Sequence, residues 1–166
     1  MTQLMAAAVT RALKMHASVA RQKSNERFFK TGPGEYGEGD EFLGVSMSDN
    51  RKVAKQFRHL HCDEIAKLLE SPIHEHRMCG LLILVLQYDV YEKKVQTPHD
   101  VRKHPGTSVI GAPGVHGRAA SGANHMAPAP EARAAQKACA AIVRCYLVHI
   151  DCVNSWDLVD CSAPQI

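Results

Sequence analysis

Between Met78 and Leu86 the chain runs Met-Cys-Gly-Leu-Leu-Ile-Leu-Val-Leu, without one charged or amide side chain. The surrounding residues read as a helix from about Ile73 to Lys94. A helix with no polar face in its middle must be enclosed on all sides, so this segment predicts the core of the domain. Tyr88, Tyr91 and the Lys93-Lys94 pair bring it back to the surface. The apolar run Leu81–Leu86 is far shorter than the about 20 residues that span a bilayer, so a soluble protein without membrane contact is expected.

The remaining periodic segments supply the covering helices. Leu4 to His16 is alanine-rich with apolar residues at helical spacing. Its basic, acid-free composition is also that of a mitochondrial presequence, although an ordinary first helix is the simpler account. A second helix is expected from an N-cap at Ser18 to Lys30, stopped by Gly32 with Pro33 behind it. The loop Gly32 to Asp40 resembles a phosphate loop only in its glycines. Its glutamates would repel phosphate and no Gly-Lys-Ser/Thr follows, so nucleotide binding is excluded there. Ser48-Asp49-Asn50-Arg51 reads as the start of a helix over Asp49 to His59. Asp63 to Glu70 forms another, and Ser71-Pro72 marks the entry to the core helix. Helical spacing returns over Glu131 to Ile150, and a last helix begins at Asn154. No strand is evident, and the expected fold is an all-α stack of helical hairpins.

Between these elements, Thr97 to Pro130 is rich in Gly, Ala, Pro and His without a sustained period. Such a segment cannot bury enough apolar surface to offset its ordering entropy, and it reads as a disordered insertion. The organisation expected is therefore residues 1–96 as N-terminal helices, 97–130 as the insertion and 131–166 as a continuation of the same domain. With 166 residues the chain is long enough to enclose a real core, and its formal charge of +3 permits a polyanionic partner without requiring one.

The six cysteines contain no CxxC pair, and no secretory leader is read at the N-terminus. Reduced thiols and an intracellular location, nuclear or cytoplasmic with mitochondria as an alternative, are expected. His74 and His76 would point about 200° apart on a helix, and neither they with Cys79 nor the His59, His61 and Cys62 group has zinc-site spacing. No metal is expected. Cys145 and His149 are four residues apart, close enough for a thiol–imidazole pair, but Cys145 lies on the apolar stripe and reads as structural.

Asn154-Ser155-Trp156-Asp157-Leu158-Val159-Asp160 holds the only tryptophan of the chain. Asn154 suits an N-cap, and Asp157 would then sit where a carboxylate meets free backbone N–H groups. Trp156 and Asp160 would share a helical face. An indole beside a carboxylate can hold a cationic group; a packing tryptophan near a solvated aspartate is the plain alternative.

Three stretches resemble the AlkD-like DNA alkylation repair family. The first is Arg27-Phe28-Phe29-Lys30-Thr31-Gly32-Pro33-Gly34-Glu35-Tyr36-Gly37-Glu38-Gly39-Asp40 with Phe42-Leu43-Gly44-Val45. The second is Ser71-Pro72-Ile73-His74-Glu75 with the Leu81–Leu86 run. The third is Asn154 to Asp160 with Ser162-Ala163-Pro164. Together they span about Ala17 to Ile166, with Thr97–Pro130 unmatched.

The resemblance implies a HEAT-like helical-repeat solenoid whose concave face holds duplex DNA. It implies a DNA glycosylase that excises cationic purines, such as 3-methyladenine and 7-methylguanine, without metal or other cofactor. By position, Asp160 matches the family's catalytic aspartate, Trp156 a tryptophan at the lesion's deoxyribose, and Phe28 an aromatic residue near the DNA. Arg27, Lys30, Arg51 and Lys52, with Lys23 and Lys55, are the expected phosphate contacts; an ordinary solvated surface is the alternative for them. In the family, further helices after the catalytic one carry an arginine and a second tryptophan. This sequence stops at Ile166, so an incomplete solenoid with apolar surface exposed on the last helix is expected. The protein is expected to act as a monomer. The competing expectation is a non-catalytic helical-repeat protein that binds DNA or another protein.

Overall fold

The computed structural model describes residues 5–35, 37–96 and 129–166. Seven α-helices occur among them: α1 (Ala6–Lys14), α2 (Val19–Phe28), α3 (Met47–Gln56), α4 (Cys62–Leu69), α5 (His74–Gln96), α6 (Pro130–Val148) and α7 (Trp156–Ser162). A short 3-10 turn, Ile150–Cys152, links the last two. The described residues contain no strand, only an isolated parallel bridge between Glu41 and Ile73. The all-α expectation is correct. The insertion expected over Thr97 to Pro130 lies outside the described residues except at its end, where Pro130 opens α6. Proline suits that place because the first helical N–H has no intrahelical partner.

Helix α5 is the axis of the fold. It packs against α1, α3, α4, α6 and α7, and Met78, Cys79, Leu81, Ile83 and Leu84 are buried along it. One apolar cluster joins these residues to Val9 and Leu13 of α1, Val53 and Phe57 from α3 and its end, and Ile65, Leu68 and Leu69 of α4. Ile142 and Tyr146 of α6 and Leu158 of α7 complete it. Helix α1 thus packs as an ordinary first helix would. Among the described residues, no helix is long and apolar enough to cross a membrane.

Several helix ends differ from the sequence-based expectation, each for a local reason. Ser18 does cap α2, accepting the Arg21 N–H. That helix ends at Phe28, however, two residues before Lys30. It is Lys30, with φ +49°, rather than Gly32 that takes the left-handed conformation after it. The cap of α3 is Ser46, whose hydroxyl accepts the Asp49 N–H at 3.1 Å and donates to Asp49 Oδ2 at 2.6 Å. This reciprocal arrangement outcompetes a start at Ser48. Pro72 precedes α5 instead of entering its first turn. In the glycine-rich loop, the Gly32 and Gly34 N–H groups are taken by the Glu35 and Glu38 carboxylates, at 2.9 and 2.8 Å. Donors that a phosphate would need are therefore already occupied.

Helix α2 has no buried residue along its length. What seats it is backbone contact with the Phe42–Val45 strand-like segment. Ser18 N–H donates to Leu43 O at 3.2 Å, and Arg21 Nη1 donates to Gly44 O at 2.9 Å. Gly44 has φ +73°, and a Cβ there would lie 2.2 Å from Ser18 O and 2.5 Å from Gln22 N. Both the left-handed backbone and the close approach demand glycine. Gly44→Ala is expected to cost at least about 2 kcal/mol, read as a lower denaturant midpoint. Amide exchange at Ser18 to Gln22 should quicken with it as α2 lifts away.

Candidate active site

Helix α7 begins one residue later than its sequence suggests. Ser155 is the N-cap, with extended backbone, while Asn154 turns outward to the preceding structure. Asn154 Nδ2 donates to Asp40 Oδ1 at 3.3 Å, and Arg77 Nη2 donates to Asn154 Oδ1 at 3.4 Å. Asp157 does accept a backbone N–H, that of Leu158, at 2.9 Å, and the Ser155 hydroxyl donates to it at 2.6 Å. Its second oxygen has a different partner. His74 Nε2 donates to Asp157 Oδ2 at 2.8 Å, across 83 residues of sequence. The expected capping role of Asn154 is therefore corrected, and that of Asp157 is shared with an ion pair.

On the opposite ring nitrogen, His74 Nδ1 faces Asp40 Oδ2 at 3.4 Å, and Arg77 Nη2 reaches the same oxygen at 2.7 Å. His74, Arg77 and Asp40 have side chains only about 5% exposed. Burial pulls the His74 pKa down, but hydrogen bonds to Asp157 and Asp40 and the charge of Asp157 outweigh it. The net shift is upward from 6.5, even with Arg77 opposing it. For Asp157, burial acts upward and is overcome by the His74 hydrogen bond and charge, leaving it below 3.8. Asp40 goes the same way, its burial overcome by His74, Arg77 and Asn154. The neighbouring His76 behaves oppositely: burial, with Lys14 and Arg77 nearby, lowers it to about 4.

Against this charged group lies an aromatic stack. Trp156 stacks on Phe29 at 6.1 Å, Phe29 on Phe42 at 5.1 Å, and both phenyl rings lie within 4.9 Å of the His74 imidazole. Phe28 meets Trp156 edge-on at 6.0 Å. Phe29 and Phe42 are buried, whereas Phe28 and Trp156 are more than half exposed. The two expected lesion contacts are thus brought together as the outer, solvent-facing rim of a packed column. Phe29 and Phe42, given no role from sequence, and His74, weighed there only as a metal ligand, form the inner part. A usable signal was present: His74-Glu75-His76-Arg77 stands directly before the apolar run, inside the same helix.

Asp160 is exposed one turn beyond Trp156. It lines a groove of about 290 Å³ with Arg51, Ala54 and Lys55 of α3, Leu82, Val85 and Leu86 of α5, and Cys161 and Gln165. Burial raises the Cys161 thiol pKa above 9.0, with Arg51 acting against it. Lys52, in contrast, is held at 2.9 Å by Asp49. Arg27 lies with Lys23, Ser24 and Phe28 along a separate open hollow on α2, and Lys30 is exposed just past that helix. The basic candidates therefore divide between two places, α3 beside Asp160 and α2 beside Phe28.

The cysteine pair considered from sequence does not form a reactive centre. His149 Nδ1 bonds the Cys145 carbonyl at 2.8 Å rather than its thiol. Burial and the facing Cys62 push the Cys145 thiol up to about 11. Among the described residues, no group of three His, Cys, Asp or Glu side chains is placed to hold a metal ion.

Fold and site together define an all-α protein of stacked helices, with an aromatic rim and an exposed carboxylate on one short helix. The family model for DNA alkylation repair enzymes matches residues 9–102, more than half of the chain, and the chain belongs to that family. The match covers the aromatic residues Phe28, Phe29 and Phe42, the basic α3 and the His74–Arg77 run; Trp156 and Asp160 lie beyond it. No curated protein and no solved structure shows significant similarity to the chain.

Proposed function

We propose that this protein is a DNA glycosylase that removes cationic alkylated purines, such as 3-methyladenine and 7-methylguanine, from duplex DNA inside the cell. We further propose that residues 1–96 and 131–166 act as one HEAT-like helical-repeat domain, as a monomer. The observation that carries the reading is the pairing of the Phe28–Trp156 aromatic rim with the Asp160 carboxylate one helical turn away, within the DNA alkylation repair family.

The chemistry follows from charge. Breaking the N-glycosidic bond leaves the electron pair on the purine and positive charge on the sugar. A purine already carrying a positive charge departs as a neutral base, so no strong general acid is needed. Asp160 stabilises the developing sugar cation and orients the attacking water, whose proton it can accept. The indole face of Trp156 adds cation–π attraction. Arg51 and Lys55, across the groove from Asp160, meet the backbone phosphates on either side of the lesion.

Incubation with methylated duplex DNA, followed by separation of free bases, tests this reading. Release of 7-methylguanine above the buffer rate supports it. Duplex binding without release would instead identify the non-catalytic DNA-binding alternative. Binding itself should be salt-sensitive: each phosphate-neutralising cation contributes about 0.9 to the slope of log K against log salt. The double variant Arg51→Gln/Lys55→Gln is therefore expected to lower that slope by roughly 1.8. An unchanged slope would remove both residues from the interface.

A further inference from the structure

We propose that His74 is a positioning residue: its doubly protonated ring clamps Asp157 of α7 and Asp40 of the preceding loop, and thereby holds Trp156 and Asp160 in register with the aromatic column. The value of the clamp for catalysis rests on the glycosylase reading; the clamp itself does not.

The geometry is that of a bridge. The imidazole sits at the start of the core helix, about 4% exposed, between two carboxylates that come from different parts of the chain. The contacts are 2.8 Å to Asp157 and 3.4 Å to Asp40. Phe29 and Phe42, themselves in contact, pack against the ring, and its burial leaves it little room to turn toward one partner alone. The charged groups facing it are Asp40 from the loop, Asp157 from α7 and Arg77 from its own helix. Arg77 answers Asp40 directly, leaving His74 as the cation that answers Asp157.

Protonation decides whether the bridge closes. An imidazolium has two N–H donors, whereas a neutral imidazole has one donor and one acceptor. Deprotonation therefore turns one contact into a lone pair facing a carboxylate. Whichever contact that is, the ring no longer carries the charge that answers Asp157, the residue next to Trp156 and three before Asp160. With its pKa raised above 6.5, His74 adds stability that is complete below 6.5 and is lost as pH climbs through the raised value. The two carboxylates, both lowered from 3.8, add theirs above 3.8 and lose it as pH falls through their lowered values. The clamp is thus closed on the mildly acidic side and opens as pH rises through the raised His74 value.

Trp156 is the only tryptophan, so its emission reports the placement of α7 without DNA or catalysis. Acrylamide quenching and fluorescence anisotropy should be followed from about pH 5 to about pH 9, which brackets histidine titration. The expected result is a rise in quenching and a fall in anisotropy with a midpoint above 6.5. In Asp157→Asn that step should be lost, with quenching high throughout. His74→Phe, which keeps the ring packing but has no donors, should be equally flat. Asp157→Asn is the variant to rely on if His74→Phe fails to fold, because Asp157 is the more accessible of the two. A wild-type profile without a step, or a step that survives in Asp157→Asn, overturns the clamp. If the step behaves as expected while methylated DNA loses no base, the glycosylase reading fails and the clamp stands. If both hold, base release should decline through the same midpoint as the quenching change.

Discussion

Asp160→Asn is expected to reduce release of 7-methylguanine from duplex DNA by about 10²–10³-fold, the usual scale for removing a preorganised electrostatic contact to a developing charge. The amide keeps the shape of the carboxylate and much of its ability to orient water, so the loss would report charge rather than packing. Asp160 is exposed and lines an open groove. The substitution should therefore leave the thermal midpoint essentially unchanged, as surface replacements usually do. DNA seated over the groove would displace its water and strengthen attraction between the carboxylate and the sugar cation. Single-turnover base release by wild type and variant, with matched duplex affinity, checks the result. An equal rate in the two proteins would remove Asp160 from the chemistry. Trp156→Ala should be milder, because a cation–π contact at a partly exposed ring is worth only about 0.5–1 kcal/mol, a few-fold in rate.

What separates Asp160 from its neighbour Asp157 could not be read from sequence spacing. Both are acidic residues on one short helix, and periodicity gives only their angular positions. The difference lies in long-range partners: His74 is 83 residues from Asp157, and the same ring reaches Asp40 across 34 residues. Local pattern was sufficient where the cause was local. The apolar run in α5 demanded burial, which Met78, Cys79, Leu81, Ile83 and Leu84 reach, whereas Leu82, Val85 and Leu86 are half-buried along the groove instead of enclosed on all sides. Ser18 had its N–H partner three residues on. It failed where two similar residues competed for one role, as Ser46 with Ser48 and Ser155 with Asn154. Ser46 won through its reciprocal contact with Asp49, and Ser155 because of what else Asn154 could bind. Asn154 spends its side chain on Asp40 and Arg77, which takes it away from the helix end. The aromatic rim was legible only through family resemblance, since Phe28 and Trp156 are distant in sequence and meet edge-on beside Phe29 only in the fold.

The largest stability effect is expected at Glu75, a buried carboxylate that serves as the acceptor for a whole loop. Its Oε1 accepts the N–H groups of Gly44 at 2.8 Å and Val45 at 3.2 Å, while Oε2 accepts that of Leu43 at 2.9 Å. Three consecutive backbone donors thus depend on one side chain that is 4% exposed. Glu75→Ala leaves them buried without an acceptor and should cost about 3–5 kcal/mol, the range for removing one partner of a buried charged contact. Glu75→Gln keeps one carbonyl oxygen but turns amide hydrogens toward a backbone donor, for an expected loss of roughly 2 kcal/mol. Denaturant unfolding gives both values, and amide exchange at Leu43 to Val45 should identify where the structure opens. Those residues also seat α2 through Leu43 O and Gly44 O. Loss of the Glu75 acceptor should therefore release the helix that carries Arg27 and Phe28, and weaken duplex binding. A cost below about 1 kcal/mol would show that the loop keeps its shape without the carboxylate. The seating of α2 would then rest on the Gly44 backbone alone, and Gly44→Ala would be the only one of the two substitutions to free it.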